Sequence, residues 1–547
     1  MRRIRTASAA VLIPLCFGIA AFWGRQALSA QDRVTQEYQT FTAALRAIED
    51  QYSGEVKSDE LVYGAISGLL GTLDPHSHFS DPKSYAQDRE RQEGRYYGLG
   101  ISIRQQNADV VIGGVYEGAP AYESGLRRGD VISAIEGENI KGWGSDRVVA
   151  RLRGPRGTFV NIAVQRYGFD QPIQLKVRRD EVHIPTVSVA VMLDSTTGYI
   201  KVDQFGENTD AELGRALGDL TKHGMKRLLF DLRANPGGVL PQAILVANRF
   251  LPRGAMIVYT RGRVADSAQD YRAIEPSAYL DVPMVTLVNR DSASASEIVS
   301  GALQDHDRSL IVGETTFGKA LVQSVYRVSG GAGAAITTAR YFTPSGRMIQ
   351  RPWDATFDEY LLYGAHEQDG TRVHKPEDLK HTDSGRPVYS GGGIEPDKRF
   401  AGRIDGFNPT PFARAIMSRG LFDEFAEHFS RAGDTRIPAG VTSKQRPLAD
   451  GFLVNDATMA DFKDMVKQSR MKFDDKAWDQ DLTFITAEVQ KEIDTDLFGL
   501  AVAYEHLARR DPQLGFATAQ FPDAEKLLAL SSATRSTTNN RQTGTLQ

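Results

Sequence analysis

Arg227-Leu228-Leu229-Phe230-Asp231-Leu232-Arg233-Ala234-Asn235-Pro236-Gly237-Gly238 begins as a short, wholly apolar strand and ends in a glycine turn. A continuous apolar run of this length, bounded by turn residues, is expected for a strand buried on both faces. Around it the pattern repeats. Gly198-Tyr199-Ile200-Lys201-Val202 and Met284 to Val288 read as further strands, while Thr209 to His223, Leu240 to Phe250 and Ser296 to Gln304 read as helices. Such alternation predicts a layered α/β core. That core is expected over residues 181–400, ending near Gly393-Ile394-Glu395-Pro396-Asp397 after an insertion rich in charge and glycine from Trp353 to Gly392.

Upstream, Tyr96 to Arg179 reads as short strands with glycine punctuation: Gly100 to Ile103, Val110 to Ile112, Val131 to Ile135 and Phe159 to Val164. Helical pieces fall near Ala121-Gly125 and Asp146-Leu152. This stretch resembles a PDZ domain. The resemblance rests on Tyr97-Gly98-Leu99-Gly100-Ile101, Gly118-Ala119-Pro120-Ala121, Ser124-Gly125-Leu126 and Gly129-Asp130-Val131-Ile132, in order over residues 96–180. In such a domain the amides of Gly98, Leu99, Gly100 and Ile101 form a nest for a carboxylate, and a peptide adds a strand to a sheet edge. A small β domain whose glycines only make turns is the plainer alternative.

Residues 31–95 form a helical N-terminal segment, with Phe41, Leu45 and Ile48 and then Leu61, Ile66, Leu69 and Leu70 at helical spacing. It closes on the turn Asp74-Pro75-His76-Ser77-His78-Phe79. The two histidines lack a third ligand nearby, so no metal site is expected. Residues 401–530 read as amphipathic helices, for example Phe412, Ile416, Leu421, Phe425 and Phe429, and 531–547 as a polar, disordered tail.

With 547 residues, 41% hydrophobic and 24% charged, the chain is long enough for several domains. Arg2, Arg3 and Arg5 precede the 17-residue apolar run Ala7 to Trp23, followed by Leu28-Ser29-Ala30. This pattern, within residues 1–30, reads as an export signal or an uncleaved anchor, since the run is at the short limit for crossing a bilayer. It implies a periplasmic location, free or attached to the inner membrane, in a bacterial cell. The single cysteine, Cys16, lies within the run, so the rest of the chain has neither disulfides nor thiolate metal sites. The net charge of −4 includes the four arginines of the leader, and opposes attraction to phosphate backbones. No nucleic-acid partner is expected.

Three segments carry candidate chemistry. Val288-Asn289-Arg290-Asp291-Ser292-Ala293-Ser294-Ala295-Ser296-Glu297-Ile298 joins a strand to a helix through small residues. A nucleophile there would have the amides and dipole of a helix N-terminus beside it. Ser294-Ala295-Ser296-Glu297 is equally a capping box that needs no catalysis. Downstream, Thr315-Thr316-Phe317-Gly318-Lys319-Ala320-Leu321-Val322-Gln323 sets a lysine among apolar and small residues. Desolvation disfavours an ammonium, so a lysine so placed can act as a neutral base. Gln323, four residues on, shares its face on helix or strand, although a surface pair fits the spacing as well. In Asp231 to Gly238, Gly237 and Gly238 let amides approach a ligand, alongside that of Ala295; an ordinary turn also explains them.

Taken together, these segments resemble the carboxyl-terminal processing, or tail-specific, serine protease family. The match runs from Tyr38 to Asp397 and adds Leu73-Asp74-Pro75-His76-Ser77 and Tyr341-Phe342-Thr343-Pro344-Ser345-Gly346. It implies a crotonase-like α/β protease core with an inserted PDZ domain and no cofactor. Ser294 would be the nucleophile, Lys319 the general base and Gln323 its support. Gly237, Gly238 and Ala295 would supply the oxyanion hole. Protein or peptide substrates with exposed C-termini are implied, with room for an adaptor and a homo-oligomer. The family also implies gating of the site by a PDZ arginine aligned with the glutamine, here Arg153 in Arg151-Leu152-Arg153-Gly154; a solvated arginine at a helix end is the alternative. Arg290-Asp291 and Ala320-Leu321 depart from the family's usual small residues. A silent peptide-binding scaffold and an acyl-CoA enzyme of crotonase type are the rivals; the first gives no reason to keep serine, lysine and glutamine in register, and an export signal separates the second from coenzyme A.

Overall fold

The computed structural model describes residues 35–353, 360, 374–400, 409–430 and 452–543, apart from Glu117, Tyr167 and Arg470. The expected export signal lies outside the described residues. The chain divides into two compact units, one comprising residues up to Pro82 together with Val325–Ile336, the other Lys83–Ser324 together with the chain from Thr337 onward. In the first, the expected helical segment is two helices, over 35–51 and Ser58–Gly71. The turn after them is fixed by Asp74, whose carboxylate accepts from the amides of His76 and Ser77 at 2.9 Å each. Strand His78–Ser80 then pairs antiparallel with Gly333–Ala335.

The second unit is built on a six-stranded sheet in the order Val187–Met192, Thr197–Val202, Arg227–Asp231, Met284–Val288, Leu310–Gly313, Lys398–Arg399. The first pair is antiparallel; the last five strands run parallel. Alternate residues serve opposite faces, as the two-residue period of a strand requires. Leu228 and Phe230 join the core formed with Leu213, Leu217, Val246 and Val299. Leu229 packs on the other side with Leu514, Ala517 and Phe521. Burial on both faces explains why these strands read as unbroken apolar runs.

One expectation about the C-terminal part needs correction. Phe422, Phe425, Phe462, Trp478 and Ile485 form a core of their own. Helices Pro512–Thr518 and Phe521–Thr543 cover the second face of the six-stranded sheet. The tail expected to be disordered from Ser531 continues that last helix to Thr543. Anchoring of Ala524 and Leu527 on the sheet, with Ser531 buried, carries the polar remainder in helical form.

Residues 101–178 form a separate antiparallel sheet around Ile112, Ile132, Val148, Ile162 and Val177. Strand Arg95–Gly98 pairs with Asp180–His183, so the stretch leaves and rejoins the chain at adjacent points. Buried Asp130 accepts two hydrogen bonds from Arg166, at 2.6 and 2.7 Å, which ties its glycine turn to the end of strand Phe159–Gln165.

Candidate active site

In a parallel sheet, loops at the carboxyl ends of the strands meet on one edge. The three candidate segments leave three neighbouring strands at that edge: Arg227–Asp231 leads into Gly237-Gly238, Met284–Val288 into Ser294, and Leu310–Gly313 into Lys319. Sequence spacing alone could not bring them together.

The loop before helix Ala295–Asp305 sorts its three serines. Ser292 and Ser296 are fully buried. Ser292 donates to the Leu232 carbonyl (2.8 Å) and accepts from the Asn289 amide (2.9 Å), while Ser296 donates to the Asn235 carbonyl (2.9 Å). Ser294 is the one residue between 292 and 305 that is not buried. Its backbone lies at φ 54°, a strained conformation for a residue with a Cβ. The helix starts on the capping box expected from the sequence. Glu297 accepts from the Ser294 amide at 2.8 Å, and the Glu297 amide, which the Ser294 side chain also approaches, donates to the Ser294 carbonyl at 2.9 Å.

Glu297 does more than cap. Fully buried, it accepts from the Thr316 hydroxyl at 2.5 Å and from the amides of Gly318 and Lys319 at 2.6 and 2.9 Å. Burial pushes its carboxyl up to about 7, against the pull of these donors. On the opposite side the Tyr341 hydroxyl lies 2.6 Å from the Lys319 carbonyl and 3.1 Å from that of Ser294. The backbones of Ser294 and Lys319 are therefore clamped through their amides by one group and through their carbonyls by another. A direct bond from the Phe317 amide to the Ser292 carbonyl (2.9 Å) adds to this. Lys319 donates through Nζ to Gln323 Oε1 at 3.0 Å, the contact expected from their spacing.

Of the two glycines, Gly237 is used differently from the expectation. Its amide donates to the Asn235 side chain at 2.9 Å, so it is not available to an oxyanion. At φ +100° a Cβ here would lie 2.9 Å from both the Ala295 nitrogen and Ser294 Cβ. Gly237 thus allows the two loops to touch. The amides of Gly238 and Ala295 make no hydrogen bond among the described residues. Asn235 binds this arrangement together, since its carbonyl also accepts from the Ala293 amide at 3.0 Å and its Nδ2 donates to the Val202 carbonyl at 2.8 Å.

Behind the glycine turn, Asp231 is fully buried. Burial works against its charge, yet Arg233 and Lys201 hold its carboxyl down at about 2. Arg233 bonds Asp231 (2.7 Å), Asp511 (2.9 Å) and Gln513 (2.6 Å), so the end of the chain helps to fix this loop. The sequence had singled out neither Tyr341 nor Asn235 and had seen Glu297 only as a cap. The available clue to Glu297 was its position three residues after Ser294.

Gly98, Leu99 and Gly100 are buried at the start of strand Ile101–Gln106, beside helix Ser145–Leu152. Arg153 caps that helix, but its guanidinium meets Glu90 (2.5 Å) and lies 4.9 Å from the centre of the Tyr96 ring, rather than reaching Gln323. Among the described residues no group of three or more His, Cys, Asp or Glu is placed to hold a metal ion. No helix there is long and apolar enough to cross a membrane.

Comparison with known proteins gives the same picture of the chain. Residues 196–356 match Peptidase family S41, 87–165 the PDZ domain, and 23–84 the N-terminal domain of the activating protease CtpB. The carboxy-terminal-processing protease of Bartonella bacilliformis is 37% identical over 307 residues, 55% of this chain and 70% of that one. The Bacillus subtilis carboxy-terminal processing protease CtpA is 31% identical over 335 residues, 61% and 70% of the two chains. Among solved structures, the photosystem II D1 C-terminal processing protease aligns over 66% of this chain and 92% of its own, at 28% identity and a TM-score of 0.33. The fold and site thus define a PDZ-containing peptidase. The chain belongs to the carboxy-terminal processing protease family.

Proposed function

We propose that this protein is a serine endopeptidase that cleaves protein substrates near their C-termini through a Ser294–Lys319 dyad. The observation that carries the reading is the sorting of the serines: Ser292 and Ser296 are consumed by structure, whereas Ser294 alone is reachable. Ser294 Oγ attacks the peptide carbonyl carbon as neutral Lys319 takes its proton, and the carbonyl π pair becomes the oxyanion, held by the amides of Gly238 and Ala295. Collapse breaks the C–N bond, and Lys319 returns the proton to the leaving amine. Water then attacks the acyl-enzyme by the same route, which releases the new C-terminus and restores Ser294. The bond to Gln323 takes up one amine hydrogen and so orients the lone pair.

The PDZ domain, through the loop Gly98–Ile101, would recognise the substrate tail, and the arginine-led apolar run at residues 1–30 would place the enzyme outside the cytoplasm. Incubation with an unfolded protein carrying a free apolar tail, followed by mass spectrometry, tests the reaction. The expected result is cleavage by the native chain and none by Ser294→Ala or Lys319→Ala. Normal cleavage by either variant would refute the dyad.

A further inference from the structure

The apolar groove between strand Ile101–Gln106 and helix Ser145–Leu152 opens into a cleft of about 370 Å³, with Ile101, Ile103, Val149 and Leu152 on its walls. Helix Pro82–Glu93 borders the same cleft through Gln87, Glu90 and Arg91. This helix has no buried residue, so apolar packing does not hold it there. Two ion pairs link it to helix Ser145–Leu152 and its cap, Lys83 with Asp146 at 2.7 Å and Glu90 with Arg153 at 2.5 Å, and the Gln92 carbonyl accepts from the Glu207 amide at 2.9 Å. The partners are seven residues apart on each segment, two helical turns, as matched pairs between parallel helices require.

The end of the groove that would receive a terminal carboxylate is occupied from within. A Cβ at Gly98 would lie 2.7 Å from Tyr96 Cε2 and 3.9 Å from Arg153 Cγ, so both side chains converge on the loop. The Tyr96 ring lies against the loop at Gly98. Burial pushes the Tyr96 phenol up to about 12 and Tyr116 adds to that, while Arg153 and the amides of Gly100 and Ile101 pull the other way. Arg153 stands over the Tyr96 ring and is paired with Glu90.

We propose that Arg153 is the cationic anchor for a substrate's terminal carboxylate, and that Glu90 and Tyr96 are internal occupants of the tail site, displaced when a tail binds. The proposal rests on the reading of this domain as the tail receptor. The exchange is of like for like. An incoming carboxylate replaces the Glu90 carboxylate on Arg153 and displaces the Tyr96 side chain from the loop, so the charge around Arg153 is conserved. Loss of one of the two ion pairs would weaken the link between helix Pro82–Glu93 and the groove helix, which couples tail binding to a segment outside the sheet. An internal tail or an amidated peptide offers no such charge and gains nothing from the exchange, so the device selects free C-termini.

The probe is a fluorescent ten-residue peptide ending in Val-Leu, with a free carboxylate or amidated, titrated into full-length Ser294→Ala protein by anisotropy. On that background, Glu90→Gln and Tyr96→Phe are each expected to tighten the free-acid peptide about two- to fivefold, the scale of a partly exposed ion pair. Arg153→Gln should weaken it by a similar or larger factor, and Glu90→Gln should have no effect once Arg153 is replaced. The amidated peptide should respond to none of these changes. If the free-acid peptide binds the native groove and the Glu90 and Tyr96 variants equally well, internal occupancy is wrong while tail recognition stands. Equal gains for both peptides would mean a steric cover, and would overturn carboxylate exchange. If no form binds either peptide, the tail-receptor reading falls, and the proposal with it.

Discussion

Replacement of Glu297 by glutamine tests the clamp between the candidate nucleophile and base in two independent ways. Each carboxylate oxygen serves two donors: Oε1 takes the Thr316 hydroxyl and the Gly318 amide, and Oε2 the amides of Ser294 and Lys319. A glutamine oxygen can keep only one pair. With it on Ser294 and Lys319, the new NH2 meets Thr316, whose hydroxyl can turn to accept, and Gly318, whose amide cannot. One buried donor is orphaned, at a cost of about 1–3 kcal/mol. Felt wholly at the base loop, this lowers turnover by up to about a hundredfold.

The second effect is on pH. The folded-state pKa of Glu297, about 7, lies above its ordinary value of 4.5. A raised pKa gives stability that is fully present below the unfolded value and lost as pH rises through the folded one. The total is about 3 kcal/mol, of which about 1 kcal/mol falls between about pH 6 and about pH 8.5. Urea unfolding of both proteins at these two pH values should show the native chain losing about 1 kcal/mol more than Glu297→Gln. Activity should move the other way, since the ionised carboxylate is the form that satisfies all four donors; the native rate should fall as pH drops through about 7. Equal pH slopes of stability in the two proteins would refute the assignment of this titration to Glu297.

Three further outcomes follow from the same geometry. Ser292→Ala and Ser296→Ala should each lower stability by about 1–3 kcal/mol by leaving buried partners unpaired, with turnover of the folded protein largely kept; loss of activity in a well-folded Ser296→Ala would show that the wrong serine was chosen. Arg233→Ala removes the ion pairs to Asp231 and Asp511 and should cost about 3–5 kcal/mol in a denaturant titration, so a neutral effect would mean that this charge cluster holds nothing. Gly237→Ala should abolish proteolysis even where the protein folds, because its Cβ would press on Ser294 Cβ and the Ala295 nitrogen; a soluble, active variant would show that the two loops do not meet there.

The α/β alternation, the strands Arg227–Asp231 and Met284–Val288, and the groove helix Ser145–Leu152 were legible in the sequence because each is coded by local apolar periodicity and nearby turn residues. The Lys319–Gln323 contact was legible for the same reason, being set by spacing within one segment. Everything that joins distant segments was not. Whether Ser294 capped a helix or stood open to solvent depended on neighbours supplied by other loops, and only the parallel order of three strands brought those loops to one edge. The roles of Glu297 and Tyr341 as opposite jaws of one clamp, the diversion of the Gly237 amide to Asn235, and the pairing of Arg153 with Glu90 instead of Gln323 are all contacts between groups remote in the chain. The helix from Ser531 to Thr543 belongs with them: its polar sequence gives no reason to order, and it is helical because the residues just before it are docked on a sheet face more than two hundred residues earlier in the chain. Local periodicity determines which elements form, since it acts within a turn or a strand; the site was decided by tertiary packing, since hydrogen bonds and burial act through space and leave no periodic trace in the sequence.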